Sequence, residues 1–141
     1  MAYFSFTQVI LEGRSINVFN HGQLQRNFTY IDDISEGVVR VLGKPATQGT
    51  GVPHCVFNIG NNVPIALLAL IETLEMALGH EAIKHLLPMP PCDVHATHAN
   101  TIQPQEWLGF APNTPLQEGI EKFPGWYHSR YEPSNLKKRA C

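Results

Sequence analysis

With 141 residues, 43% of them hydrophobic and only 16% charged, the chain has enough apolar material to bury a sizeable core, which excludes disorder throughout. Ten Lys and Arg against twelve Asp and Glu leave a net charge of −2, and the only basic run, Lys137-Lys138-Arg139, is in the terminal tail, so neither nucleic acid nor a membrane surface is an expected partner. No apolar stretch approaches the roughly eighteen residues of a membrane span, the first residues lack a signal-peptide pattern, and the three widely spaced cysteines (Cys55, Cys92, Cys141) do not make a disulfide framework; the expected compartment is the cytoplasm.

Tyr3 to Glu12 reads as a helix with Phe6, Val9 and Ile10 on one face and Gly13 as its stop. Ile16-Asn17-Val18-Phe19 and Asn27 to Ile31 read as strands, joined through Asn20-His21-Gly22-Gln23 into a hairpin. Asp33 is placed to cap the next helix, with Glu36 closing a capping box, Ile34, Val38, Val41 and Leu42 as the apolar stripe and Gly43 as the end. Lys44 to His54 is a loop, Val56 to Ile59 a short strand, and Gly60-Asn61-Asn62 a turn.

Ala66 to Leu78 is apolar almost all round and stops at Gly79; a helix of that kind needs cover on more than one side, either a core or another domain or subunit. A short helix near Glu81 to His85 precedes the bend at Pro88, Pro90 and Pro91. Thr101 to Leu108 reads as a helix ended by Gly109. Thr114, Pro115 and Gln117 open a last helix through Phe123, which Pro124-Gly125 breaks.

Arg26 places a permanent cation just before a strand and a helix, and its planar fork of donors suits a phosphate or a carboxylate. Asp32 and Asp33, adjacent at a strand-to-helix junction, point apart and do not form an acid/base pair; Glu72 and Glu75 share a helix face, where salt bridging or solvation is the expectation. Cys92, His95 and His98 would converge on a metal only if helical, which the upstream prolines oppose, so no metal is expected.

The run Arg26-Asn27-Phe28-Thr29-Tyr30-Ile31-Asp32-Asp33, preceded by Met1-Ala2-Tyr3-Phe4 and Leu11-Glu12-Gly13-Arg14, resembles the C-terminal half of the extended short-chain dehydrogenase/reductases, in particular the NAD-dependent UDP-glucuronate 4-epimerases, from Met1 to about Tyr131. The resemblance implies an α/β class: a mixed α+β substrate-binding lobe over 1–131 with 132–141 as a tail, and the N-terminal Rossmann domain absent. It implies NAD as the cofactor of the full-length family, held on a glycine-rich turn, and a Tyr with a Lys four residues on that exchanges a proton at the sugar 4-hydroxyl. Neither is found here: four residues after Tyr3, Tyr30, Tyr127 and Tyr131 come Thr7, Ile34, Tyr131 and Asn135. Met1 falls at an interior position of the family pattern, so the chain is expected to be a truncation, a separately started product or a gene fragment, with no catalytic residues, no NAD bound by this chain alone and no activity by itself.

Three positions carry over as substrate-binding. Phe19 and its strand match the segment whose backbone reads uracil, Arg26 the arginine that clamps the diphosphate, and Asp93 an acid that reaches the ribose hydroxyls. The alternatives are a core strand residue, a surface charge and a solvated loop carboxylate. The implied partners are a UDP-sugar resembling UDP-glucuronate and either a separate Rossmann domain or a second copy. Departures from the family pattern include Asn27 for Asp, and Pro90-Pro91-Cys92 for a Gln-Pro-Gly turn, which would strain the backbone before Asp93.

Overall fold

The computed structural model describes residues 2–46, 52–91, 93–97 and 99–131. Helix α1 (Ala2–Leu11) ends as its sequence predicts: Gly13 turns left-handed at φ 65°, and the amides of Gly13 and Arg14 donate to the carbonyls of Ile10 and Val9. Strand β1 (Ser15–Val18) alternates exposed and buried, sending Ile16 and Val18 inward. A tight turn over Phe19–Gly22 leads to β2 (Gln25–Arg26), then α2 (Ile31–Gly43), β3 (Ile65–Ala66), α3 (Leu67–Leu78), β4 (Ile83–Leu86), α4 (Ile102–Leu108) and α5 (Leu116–Tyr131).

The expected hairpin does not form. β1 pairs in parallel with β4, Ser15 opposite Ile83 through Val18 opposite Leu86, while β2 pairs antiparallel with β3. The segment expected to be helical at Glu81 to His85 is therefore a strand, its good helix-formers overridden by the open edge of β1. Val56 to Ile59 is not in a strand: a strand exists only where it has a neighbour, and none of the described strands lies beside it.

α3 is the centre of the core. Leu70, Ile71 and Leu74 are 0% exposed, and α1 and α5 lie against the helix and cover it from two sides. The demand for cover is thus met largely within the chain, with Met76 left 76% exposed. Ile10, Ile16, Val18, Leu24, Leu67 and Ile120 complete one cluster. Burial of each such side chain contributes about 1.5–3 kcal/mol.

Pro124 does not break α5, which continues to Tyr131. An interior proline costs about 3 kcal/mol. Offsetting that, the second half of α5 lays a row of rings on α1: Phe123 meets Tyr3 edge-on at 5.0 Å, Tyr127 and Tyr131 meet Phe4 at 5.5 and 5.3 Å, and Tyr127 stacks on Tyr131 at 5.1 Å. Such ring pairs contribute about 0.5–1.5 kcal/mol each beyond their burial. Among these rings, burial foremost and then the charge of Glu12 push the Tyr127 phenol above its ordinary pKa.

α2 also starts differently from expectation. Its N-cap is Tyr30, with no side-chain cap, and Asp33 is the third residue of the helix, within its first turn. The buried Asp33 carboxylate instead accepts a hydrogen bond of 3.1 Å from the Thr114 amide, fastening α2 to the chain just before α5. Glu36 pairs with Arg40 at 2.7 Å rather than closing a capping box.

Candidate functional site

The end of β1 sets the first part of the site. Phe19 opens the turn and is 37% exposed, so it is not a core strand residue. Asn20 and His21 follow with φ of 49° each, a left-handed pair that side-chain-bearing residues seldom adopt. Gly22 has φ 82°, and a Cβ there would lie 2.4 Å from Leu68 Cγ, so only glycine lets the turn settle onto α3. The turn is held from β4: Leu87 N–H donates to Val18 O at 2.9 Å and His21 N–H to Leu87 O at 3.1 Å.

Residues 93–97 supply the second part. Gln25 N–H donates to His95 O at 2.9 Å and Thr97 N–H to Gln25 O at 3.3 Å, so this segment runs beside β2 and brings Asp93 to Arg26 across 67 residues of chain. Arg26 Nη2 meets Asp93 Oδ1 at 2.6 Å. Arg26 Nη1 donates to Gln25 O at 2.8 Å and to His95 O at 3.4 Å. Asn20 Nδ2 lies 3.3 Å from His95 Nδ1, tying the Phe19 turn to the same segment.

Phe19, Arg26 and Asp93, separated in sequence, are therefore parts of one neighbourhood. Of the two ligands that suit Arg26, the one it holds here is a carboxylate of its own chain. The sequence does not single out Gln25, Asn20 and His95 as parts of such a site: Gln25 and His95 hold Arg26 through backbone carbonyls, which any residue carries, and the Asn20–His95 side-chain contact joins residues 75 apart. The Arg26–Asp93 side chains are 26% and 34% exposed, a half-buried pair at the surface. Two cavities lie elsewhere, one of about 400 Å³ lined by Phe28, Asn61, Val63, Pro112 and Leu116, the other of about 260 Å³ lined by Asn58, Asn100, Gln103 and Glu106.

The remaining candidates resolve as structural. Asp32 is exposed while Asp33 is bound to Thr114, so the pair does no joint chemistry. Glu75 accepts from Lys84 Nζ at 2.6 Å and from Ala82 N–H at 2.7 Å. Burial pushes the Glu75 carboxyl upward, but the hydrogen bonds from Lys84 and Ala82 together outweigh it and leave the pKa below the ordinary value. Asn27, where the resemblance has Asp, uses what an Asp lacks: Nδ2 donates to Asn61 O at 2.5 Å, leaving Oδ1 buried with no partner among the described residues. Cys92, the site of the departure before Asp93, and His98 lie outside the described residues, as do Cys141 and the tail 132–141; among the described residues no group of His, Cys, Asp and Glu converges as metal ligands.

Among the described residues no strand leads through a glycine-rich turn into a helix N-terminus, the cradle that suits a dinucleotide's pyrophosphate. Here β1 passes through Asn20 and His21 into another strand, and the helix after β3 begins with Leu67 and Leu68.

Residues 2–60 match the NAD dependent epimerase/dehydratase family. The chain is 43% identical over 94% of its length to an uncharacterized 37.6 kDa protein of Escherichia coli O111:H-, and 44% identical over its whole length to UDP-glucuronate 4-epimerase 4 of Arabidopsis thaliana, covering 43% and 34% of those proteins. In fold it is similar to the UDP-glucuronic acid 4-epimerase of Bacillus cereus in complex with UDP-glucuronic acid and NAD, with a TM-score of 0.78, 28% identity, and coverage of 93% of this chain and 40% of that one. A UDP-glucose 4-epimerase of Thermotoga maritima with UDP-glucose shares the fold at a TM-score of 0.80 and 23% identity, over 94% of this chain and 40% of that one. No helix among the described residues is long and apolar enough to cross a membrane. The chain thus spans between 34% and 43% of the length of the proteins compared above, and in sequence and fold it is similar to the NAD dependent epimerase/dehydratase family.

Proposed function

We propose that this chain is the nucleotide-sugar-binding lobe of a UDP-glucuronate 4-epimerase-like protein, residues 1–131 forming the lobe, and that alone it binds a UDP-sugar without turning it over. The observation that carries this reading is the pairing of Arg26 with Asp93, 2.6 Å apart although 67 residues separate them, beside the segment that Asn20 and His95 tie to the Phe19 turn. The exposed Phe19 turn would read the uracil, Arg26 would hold the diphosphate, and Asp93 would accept from the ribose hydroxyls. The proposed absence of turnover is supported by the sequence, in which no Tyr has a Lys four residues on to steady its phenolate.

Calorimetric titration with UDP tests the proposal. Binding that falls at least about tenfold in Arg26→Ala, the scale of a lost charge-assisted hydrogen bond, is the expected result. No heat at millimolar UDP would dismiss it. In a separate assay the chain mixed with NAD and UDP-glucuronate should yield no epimer; product at enzymatic rates would refute the claim of inactivity.

A second reading concerns a partner, a Rossmann-type lobe held in trans. It is favoured by α2 rather than by α3: Ile31, Val38, Val39 and Leu42 all stand exposed along α2, Leu42 at 78%. Co-purification with such a lobe that is lost in Val38→Glu/Leu42→Glu would support it.

A further inference from the structure

Resting on the reading of Arg26 as the diphosphate site, we propose that Asp93 is a specificity-determining counter-anion. It is the anion paired with Arg26 Nη2, so a bare anion must displace it without compensation, whereas a ligand bearing hydroxyl groups beside its phosphates gives the displaced carboxylate a new set of donors.

The geometry separates what holds Arg26 from what occupies it. Nη1 is anchored by the carbonyls of Gln25 and His95, at 2.8 and 3.4 Å, so the guanidinium keeps its place when Asp93 leaves. Nη2 faces Asp93 Oδ1 at 2.6 Å and is the donor an incoming phosphate would need. On the other side, Asp93 N–H donates to Pro90 O at 3.2 Å, which fixes the backbone and leaves the side chain to turn. Further on, the segment is fastened to β2 from His95 onward, through Gln25 and Thr97, while among the described residues Oδ1 is otherwise engaged only by the neighbouring Val94 N–H at 2.8 Å. Rotation of one side chain therefore frees Nη2 without unpairing any strand.

The charges supply the selectivity. Paired, Arg26 and Asp93 are neutral together; once a phosphate takes Nη2, Asp93 is an unpaired carboxylate close to a second anion and repels it. Inorganic phosphate and pyrophosphate meet that repulsion unrelieved. A nucleoside diphosphate relieves it through its ribose hydroxyls, which donate to the carboxylate. The device rejects common anions through a repulsive element and admits ligands by what they carry beside the phosphates.

The test is titration of the chain with inorganic pyrophosphate and, separately, with UDP, for the parent, Asp93→Asn and Arg26→Ala. Asp93→Asn keeps the size and an acceptor for Val94 N–H but removes the charge; it should tighten pyrophosphate binding about three- to tenfold at low salt, and the preference for UDP over pyrophosphate should shrink by at least that factor. Asp93→Ala should tighten pyrophosphate binding likewise, with circular dichroism melts verifying that each variant is folded. Pyrophosphate binding unchanged or weaker in the folded Asp93 variants, while Arg26→Ala still abolishes it, overturns the counter-anion proposal and leaves the Arg26 site standing. Pyrophosphate binding unaltered in Arg26→Ala overturns both.

Discussion

The part of the molecule built from α1, β1, α3, β4 and α5 and the part built from α2, α4 and residues 52–64 are held together by different forces. In the first, every residue of the hydrophobic cluster lies on α1, β1, α3 or α5 or, in the case of Leu24, just before β2. In the second, α2 buries only Asp33 and Gly37, and α4 only Pro104. What joins those two helices is polar and aromatic: Arg40 over the Phe110 ring at 5.0 Å, Lys44 over Trp107 at 5.3 Å, Lys44 Nζ on Trp107 O at 2.5 Å, and Phe57 beside Trp107. Apolar side chains are no scarcer there, with Ile31, Val38, Val39, Leu42, Val56 and Val63 all exposed. The difference teaches that apolar content does not make a core; a face becomes core only where a second face meets it.

Truncating the centre of α3 should have the largest effect. Leu70→Ala leaves a cavity with no solvent access and should cost about 2–5 kcal/mol, read as a drop in the urea midpoint at constant slope. A loss below about 1 kcal/mol would mean that the first part is no better sealed than the second. Next comes Gly22→Ala, which must hold φ at 82° with Leu68 Cγ 2.4 Å from the new Cβ. It should destabilise by about 1–3 kcal/mol in thermal melts and disturb the Phe19 turn.

Glu75→Gln sharpens the contrast through pH. Because the folded carboxyl is held below its ordinary pKa, its contribution is complete at neutral pH, above the unfolded value, and is lost as pH falls through the lowered folded value. Parent and variant should differ by about 1 kcal/mol at pH 7 and converge in acid; a gap that is constant with pH would show that Lys84 and Ala82 do not lower the pKa. The smallest effect is expected at α2, where Val38→Ser with Leu42→Ser should shift stability by no more than about 0.5 kcal/mol. A loss several times larger would show that this face is already covered in the isolated chain.

The sequence by itself determined the elements whose signals are local. α1, α3 and α4 were legible because a helix closes its hydrogen bonds four residues apart, and its end is written in one residue, here Gly13, Gly79 and Gly109, all left-handed in the structure. The same holds for the cation at Arg26, whose appetite for an anion needs no neighbour to be read. The long-range outcomes belonged to the tertiary structure: that β1 takes β4 rather than β2 as its neighbour, that α5 survives Pro124 against a bed of rings on α1, that Asp33 binds Thr114 instead of capping its own helix, and that the anion waiting for Arg26 is Asp93. Each of these joins segments far apart along the chain. A strand edge, a buried carboxylate or a guanidinium has many possible partners, and only the packing of the whole core decides which of them comes within reach.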